Sequence, residues 1–393
     1  MPSSRSADPN DPTASLGTVA REWTRIGVTG FGGPPAHIAL LRKLVVERKH
    51  WLDPTEFEDA NAACGLLPGP ASTQMAIFCA NRVAGPLGAI VGGAGFVIPA
   101  VVLVLALSVV FLAHAPPLWV RGAGAGAGAA VAAVALAAAR GFLAPSIERA
   151  RGQRAREVMW AVYLLAGGAG AVFAGPYLVV VLVGCGLLEL ARRQRQAPQP
   201  SIHAGILGLL APAAAVGGFG ALAWTAFKVG ALSYGGGFVI VPLMQGDAVH
   251  TYHWMSNAQF LNAVALGQIT PGPVVATIAA VGYAAHGIVG GIFASLVAFT
   301  PSFSFILLGG NRFERIRANM HARAFLDGAG PAAIGAILGA AVSLALALHE
   351  GWQFGVLAGA AVALLLLRRG VVQTLLTAGI LGVIAALAGA PLP

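Results

Sequence analysis

A break in an apolar segment is followed at once by three side chains that donate hydrogen bonds. The break consists of Pro68, Gly69 and Pro70, and the donors after it are Ser72, Thr73 and Gln74. Proline removes a backbone donor and glycine permits left-handed backbone, so one helix should end before the break and another begin after it. The first turn of the second helix presents free amide groups and the positive end of the helix dipole. This pattern predicts an oxyanion site after the break.

The same combination recurs later in the chain, and a glycine-rich element precedes each break. The second break consists of Pro271, Gly272 and Pro273. The glycine-rich elements are "GFGGPP" at 30–35 and "SYGGGF" at 233–238. Successive backbone amides in such elements form concave anion sites. The candidate binding residues therefore extend to Gly30, Phe31, Gly32 and Gly33 in the first element and to Gly235 and Gly236 in the second.

Three ionisable residues lie close to the glycine-rich elements. Arg25 and Lys228 occupy equivalent places, five residues before aligned positions 30 and 233. A cation in a membrane segment is costly and by default marks a functional site, whereas a long side chain can also extend to the lipid headgroups. His37 could bind a ligand or titrate, or it could pack between helices. The sequence leaves both alternatives open for all three.

No pattern in the sequence points to an enzyme, a metal or a cofactor. The chain contains no GxxxxGK[ST], HExxH or GxSxG motif, so it has no P-loop to hydrolyse ATP, and hydrolase chemistry is unsupported. Cys64, Cys79 and Cys185 lie in apolar segments without CxxC spacing, so neither a disulfide framework nor a zinc site is predicted. The segment "RGAGAGAGAA" at 121–130 lacks the Lys-Ser/Thr of a phosphate loop, and its small residues favour close helix packing.

The composition predicts an all-α polytopic membrane protein. Of the 393 residues, 57% are hydrophobic and 10% are charged. We therefore predict that the lipid bilayer surrounds the protein. The formal net charge of +9 is spread over short loops, which argues against a nucleic-acid partner. A polar tail at 1–18 lacks the apolar core of a cleaved signal peptide. The predicted spans are 86–112, 122–142, 157–174, 175–190, 204–222, 286–309, 326–347, 352–366 and 371–390.

An internal repeat divides the chain into two transporter-like halves. Aligning residues 20–70 with 223–273, at a constant offset of 203, gives 14 identical positions out of 51. The aligned positions include the glycine-rich element, a His-Trp pair and the Pro-Gly-Pro break. We therefore predict a first repeat at 19–190, a basic cytoplasmic linker at 191–203 and a second repeat at 204–393.

Loop charges predict that the two halves are inverted with respect to each other. Cytoplasmic loops carry an excess of lysine and arginine. The loop at 42–58 contains four such residues before its aspartate-proline turn, whereas the equivalent loop at 245–258 contains none, so the two should face opposite sides. The count of crossings to the other basic loops then requires that each broken segment leaves the membrane by the side it entered. Those loops are 149–156, 192–195, 312–323 and 368–369.

Several segments resemble the two-domain chromate ion transporter family. They are "GVTGFGGPPAHIALL" (27–41), "LPGPASTQ" (67–74), "LSYGGGFVIVPLM" (232–244) and "TPGPVVA" (270–276), within a resemblance that extends from about residue 18 to 390. It implies export of chromate across the bacterial inner membrane by secondary active transport on proton-motive energy, and chromate resistance. It also implies that the motif residues, His37 included, form the substrate site. The second half departs from the first, with Ser233 aligned to Gly30 and Ile240 aligned to His37. This difference favours a first half that dominates substrate binding.

Two other functions remain as alternatives. Sulfate shares the shape and charge of chromate, so a carrier for uptake or exchange of sulfate-like oxyanions would use the same donors. A sensory or structural membrane protein could hold a partner with the broken helices and pass no ion. Assembly into a homodimer also stays open.

Overall fold

The computed structural model describes residues 14–65, 69–113, 115–196, 218–233, 238–309 and 320–393. Pro68, Gly235 and Gly236 lie outside the described residues, and so does most of the predicted span at 204–222. The described chain forms fourteen α-helices. They are α1 (Leu16–Thr29), α2 (Pro34–Arg42), α3 (Pro54–Cys64), α4 (Ala71–Phe111), α5 (Leu118–Ala150), α6 (Arg154–Ala169), α7 (Leu178–Gln196), α8 (Phe219–Leu232), α9 (Ile240–Gln245), α10 (Asn257–Ile269), α11 (Ile278–Gly309), α12 (Met320–Leu346), α13 (Gly351–Ala361) and α14 (Val371–Leu387).

These helices confirm the prediction of an all-α membrane protein with several spans. Five helical segments are both long and apolar enough to cross a bilayer, and three shorter helices are also apolar. The long segments are 71–111, 118–150, 154–174, 274–309 and 320–346. The described end of the predicted span at 204–222 lies in α8, which begins at Phe219 and occupies the place that α1 has in the first half.

Equivalent local structures recur in the two halves at the offset of 203. Helix α2 continues into a π-helical turn, Lys43–Arg48, and α9 continues into another, Gly246–Thr251. Each π-turn is followed by a histidine with left-handed backbone, His50 at φ 51° and His253 at φ 53°. Few residues other than glycine adopt this conformation, and histidine is among those that do. The local sequence therefore specifies the same change of chain direction twice.

Two of the long apolar segments are hairpins. Ala84 and Gly85 have non-helical backbone in the middle of α4, with φ 67° and ψ −166° at Gly85. Gly92, after this turn, lies against Ala80 before it. Those residues would be about 18 Å apart along one straight helix, so the two arms of α4, 71–83 and 86–111, run antiparallel. Gly287 makes the equivalent turn in α11, at φ 61° and ψ −155°.

The first arm of α4 returns to the end at which α3 began. Glu56, in the first turn of α3, forms an ion pair with Arg82, at the end of that arm. The two residues are separated by the Pro-Gly-Pro break, so the chain enters along α3, breaks and returns. This arrangement is consistent with the predicted re-entrant segment, whose depth in a bilayer stays a prediction.

Helices of each half pack against helices of the other half. Long helix α5 of the first half packs against α13 and α14, whereas long helix α12 of the second half packs against α6 and α7. Small residues permit these contacts, because a Cβ on Gly122 would lie 2.6 Å from the carbonyl oxygen of Gly382. The glycine-rich segment at 121–130 thus serves helix packing, as predicted.

The two ends of α5 lie in different surroundings. At its C-terminal end a basic cleft contains Arg149, Arg156, Arg192 and Arg193, with Asp327 2.6 Å from Arg193. At its N-terminal end Arg121 shares a cavity with Ser256 and other residues at the start of α10. The loop that precedes α10 therefore lies at the end of α5 opposite to the basic residues at 149–156 and 192–193. The inversion of the halves as a membrane topology stays a prediction.

Candidate oxyanion site

The glycine-rich element of the first half is joined directly to the break of the second half. The carbonyl oxygen of Gly30 accepts a hydrogen bond from the backbone N–H of Gly272 at 3.0 Å. It also accepts one from Nε2 of His37 at 2.8 Å. A carbonyl oxygen has two lone pairs, and both are used here. Two sequence motifs that lie more than 240 residues apart in the chain therefore meet at one atom.

His37 also links the glycine-rich element to the first broken helix. Its ring is fully buried, packs edge-on against Phe96, and has Nδ1 3.4 Å from Oγ of Ser72. Because the Gly30 carbonyl only accepts, Nε2 carries a proton, and in a neutral ring Nδ1 then accepts from the Ser72 hydroxyl. The histidine holds the two elements together, which combines the packing role with a polar one.

The first break packs against the second half rather than against open space. A Cβ on Gly69 would lie 3.4 Å from the carbonyl oxygen of Gly230 and 3.4 Å from Oγ of Ser302. Helix α4 begins directly afterwards, with Pro70 as its N-cap. Thr73 and Ser302 are fully buried, and neither hydroxyl oxygen has a hydrogen-bond partner among the described residues. Unpaired hydroxyls at this depth are unusual in a protein interior.

The second break has the equivalent environment in the first half. A Cβ on Gly272 would lie 3.6 Å from the carbonyl oxygen of Gly27 and 2.7 Å from Cβ of Ala100. Gly27 and Ala100 are the counterparts of Gly230 and Ser302 in the repeat. Each break is thus inserted between the same two elements of the other half. The crossing brings both breaks to the interior of the molecule.

A cavity of about 330 Å³ opens beside the second break. On one side it is lined by the glycine-rich element, and on the other by the end of α10 and the break. The wall between them comes from the inner part of α5 and from the turn before α14. The polar or conformationally special residues among its lining are Gly32, Gly33, Gln268, Thr270, Gly272 and Arg369.

The donors in this cavity are backbone amides and one buried side chain. Gly32 and Gly33 have left-handed backbone, at φ 105° and 73°, and no acceptor for the N–H of either is found among the described residues. Helix α2 starts after them with Pro34 and Pro35, which have no N–H to offer. Nε2 of Gln268 is buried, and no described residue is its hydrogen-bond partner. These groups are suited to the oxygens of an anion.

Arg369 supplies the positive charge of the cavity. It lies on the exposed turn at 367–370, between the π-turn Val362–Leu366 and α14. No acidic residue lines the cavity within the part of the chain that the structure describes. The cavity is therefore electrically suited to an anion.

The two cations predicted near the glycine-rich elements have different environments. Arg25 is exposed on α1, so its position fits extension toward solvent or headgroups. Lys228 is buried, and its Nζ lies 2.6 Å from Oδ2 of Asp247, which also accepts a hydrogen bond from Thr225 at 2.9 Å. Neither cation lines the cavity. The charge of Lys228 is balanced by Asp247, which leaves it little to offer a substrate.

The remaining predicted residues have varied positions. Phe31 is about half exposed and does not line the cavity, and Pro271 and Pro273 are buried on either side of Gly272. Ser72, Thr73 and Gln74 are buried at the start of α4. The structure thus brings Gly30, His37, Ser72 and Gly272 together by hydrogen bonds, and it places only part of the predicted set at the cavity.

Comparison with known proteins places the chain in a family. The model of the chromate transporter family matches residues 17–190 and 220–389, one match in each half. The chain belongs to the chromate transporter family. This agrees with the resemblance seen in the sequence and makes the molecule a member of a transporter family with two related halves.

Three relatives have similar length and carry matching descriptions. A chromate transport protein of Cupriavidus metallidurans is 31% identical, over 94% of this chain and 92% of the relative. A probable chromate transport protein of Synechococcus elongatus is 27% identical over 85% of each chain. A chromate transport protein of Pseudomonas aeruginosa is 28% identical, over 85% of this chain and 82% of the relative. No solved structure matches.

Sequence reasoning missed Gln268, Thr270 and Arg369. Gln268 aligns with Gly65 in the repeat, so comparison of the halves gave no sign of it. Arg369 belongs to a basic loop that indicated only membrane orientation. The one available signal for Gln268 was its polar side chain three positions before the second break, because helix geometry places such a residue within one turn of the break.

Proposed function

We propose that this protein exports chromate from the cytoplasm across the bacterial inner membrane by secondary active transport. The observation that carries the proposal is the cavity between Gly32–Gly33 and the second break, with Gln268 and Arg369 in its lining. Membership of a chromate transporter family supports chromate as the substrate.

The donors of the cavity fit a tetrahedral dianion. Chromate presents four oxygens around one centre, so it is best held by several donors that converge from different elements. Two backbone amides, one carboxamide and one guanidinium come here from three separate parts of the fold. The charge of the substrate exceeds that of Arg369 alone, and amides in a cavity of low polarity supply the rest of the stabilisation.

The electrical part of the proton-motive force favours outward movement. One elementary charge crossing a potential of 100 mV changes the free energy by about 2.3 kcal/mol, hence about 4.6 kcal/mol for a dianion. A cell interior that is negative expels such an anion by roughly three orders of magnitude in concentration at this potential. Export therefore needs no nucleotide, in agreement with the missing P-loop.

Transport into everted membrane vesicles tests this proposal. The cytoplasmic side of the protein then faces the medium, and radiolabelled chromate should accumulate inside energised vesicles that contain the protein. An uncoupler should abolish the accumulation, and excess sulfate should reduce it, because sulfate has the same shape and charge. Cells that produce the protein should also grow at higher chromate concentrations than cells without it.

The outcome distinguishes the proposed exporter from its alternatives. Vesicles that take up no more chromate with the protein than without it would refute the proposal. Movement in the opposite direction, found with vesicles of native orientation, would instead identify an uptake carrier. Gly359→Ala serves as a control for expression and insertion, since a Cβ at that glycine meets nothing within 4 Å.

A further inference from the structure

A second polar cavity lies at the other end of the same two helices. It has a volume of about 400 Å³ and is lined by the first turns of α5 and α10, together with residues that follow α4 and precede α13. Its polar lining includes Arg121, Gln259, Asn262 and Gln353, and no acidic residue lines it within the described chain. Like the cavity beside the second break, it combines an arginine with uncharged polar side chains.

Two of the five polar residues, which include Ser256, are available to a ligand. Gln353 is already engaged, because its Nε2 donates to the carbonyl oxygen of Ala125 at 3.2 Å and its Oε1 accepts from backbone amides. Gln259 forms the capping box with Ser256 at the start of α10. No hydrogen bond or ion pair of the described residues occupies the guanidinium of Arg121 or the amide of Asn262.

A glycine in α5 leaves room for the side chain of Asn262. A Cβ on Gly124 would come within 2.7–2.8 Å of the Oδ1, Cγ and Nδ2 atoms of Asn262. The asparagine amide therefore lies across the surface of α5, one helical turn from Arg121. A guanidinium and a carboxamide at this spacing are the donors that an oxyanion binds, and the same chemical types line the other cavity.

The two cavities are separated by a short apolar barrier. Along α5 the lining passes from 121–128 at one cavity to 134–142 at the other, and along α10 it passes from 256–262 to 267–268. Between them, residues 129–133 and 263–266 are apolar and at most 5% exposed. Asn262 and Gln268 are six residues apart on one helix, which is about 9 Å.

From this arrangement we infer that the cavity at Arg121 and Asn262 is a second oxyanion site, from which the substrate leaves on the side opposite to the basic loops. The ion passes between the two cavities along the contact of α5 and α10 when the apolar barrier opens. The inference rests on the proposed function, because it assigns the far end of the same pathway. Its ligand class is a tetrahedral oxyanion, and its positive charge comes from Arg121.

Protection of an introduced thiol tests the second site directly. The full-length protein with Ala258→Cys, a partly exposed lining residue that is not a donor, is labelled in proteoliposomes by a membrane-impermeant thiol reagent, with sulfate present or replaced by chloride at equal ionic strength. Sulfate is the probe because chromate oxidises thiols. The native cysteines are all buried, so they add little background. Sulfate at twice its dissociation constant should slow labelling about threefold, since the rate falls by the factor 1 + [L]/Kd.

Matched variants separate the second site from general effects of sulfate. His349→Cys places a thiol on an exposed residue at the same end but outside the cavity, and sulfate should leave its labelling rate unchanged. Adding Arg121→Gln to Ala258→Cys should remove the protection, whereas Arg121→Lys should retain most of it. Equal labelling rates with sulfate and chloride at Ala258→Cys would overturn the inference.

Flux measurements decide the proposed function independently of this labelling. Arg121 is exposed, so the Arg121→Gln variant should insert normally. It should lower chromate flux several-fold, while binding at the cavity beside the second break persists. If the wild-type protein transports chromate but sulfate fails to protect Ala258→Cys, the second site is wrong and the proposed exporter stands. If sulfate protects but no chromate flux occurs, the cavity binds an oxyanion, and both its role as an exit and the exporter are wrong.

Discussion

The backbone N–H of Gly272 donates to the carbonyl oxygen of Gly30 at 3.0 Å, so the break of one half is fastened to the glycine-rich element of the other. The same carbonyl holds His37, which in turn contacts Ser72 at the start of the first broken helix. A displacement of either half is therefore transmitted to the lining of the cavity. In carriers with inverted repeats such contacts between the repeats lie next to the substrate.

Substitution of Gly272 should damage this junction. In Gly272→Ala the new Cβ would lie 2.7 Å from that of Ala100, and the backbone has φ 99°, which an alanine adopts at a cost of about 1–3 kcal/mol. We expect loss of most chromate flux and a lower melting temperature in detergent. The double variant with Ala100→Gly removes the overlap and should recover part of the stability. Equal stability of Gly272→Ala and wild type would contradict the geometry.

The first break should depend more on Gly69 than on Pro70. Pro70 is the N-cap of α4 and follows a glycine at φ 118°, so the proline ring is not what interrupts the helix. The break therefore persists without the proline ring. We expect Pro70→Ala to keep substantial flux and Gly69→Ala to lose it, because its Cβ would lie 2.7 Å from Nε2 of Gln74. The two variants are compared at equal membrane abundance.

Removal of the buried donor should weaken substrate binding. Gln268→Leu keeps the bulk of the side chain but loses Nε2, and one neutral hydrogen bond contributes about 0.5–1.5 kcal/mol, equivalent to roughly a 2–13-fold change in KM. Gln268→Glu should be more severe, since it adds a negative charge to the cavity. Gln373→Leu is the control, because Gln373 does not line this cavity. An unchanged KM in both Gln268 variants would remove this residue from the site.

Two adjacent arginines provide a matched test of the charge. Arg369 lines the cavity, whereas Arg368 occupies the same turn with φ 53° and does not line it. Arg369→Gln should raise the KM for chromate several-fold, with a larger effect at low ionic strength because salt screens exposed charges. Arg368→Gln should leave the KM near that of wild type. A similar rise for both variants would show that the turn contributes only general positive potential.

The buried ion pair of Lys228 and Asp247 should be structural. Asp247→Asn leaves a buried lysine without its counter-charge, which costs about 3–5 kcal/mol, so we expect a marked loss of thermal stability. The double variant Lys228→Met with Asp247→Asn removes both charges and should regain much of that stability and of chromate flux. Absence of flux in a well-folded double variant would restore Lys228 as a substrate ligand.

Much of the architecture was available from the sequence because it depends on local chemistry. Proline lacks an N–H and glycine accepts left-handed backbone, so the positions of both breaks and of the glycine-rich element followed from residue type alone. The offset of 203 likewise predicted that the segment ending in the His-Trp pair is repeated, and the structure has equivalent π-turns and left-handed backbone at His50 and His253 in the two copies. Hydropathy predicted nine membrane spans, and five helical segments of the described chain are long and apolar enough to be spans, since length and hydropathy are properties of a continuous stretch.

The composition of the site was decided by tertiary structure. Lys228 and Arg25 have the same sequence context. It is the tertiary fold that places Asp247 2.6 Å from Lys228, and this ion pair removes Lys228 from the candidate donors. Gln268 and Arg369 gained a role because α10 and the turn before α14 meet the first glycine-rich element across the interface of the halves. A sequence repeat shows which segments correspond. Only packing of one half into the other determines which of their polar groups face the same cavity.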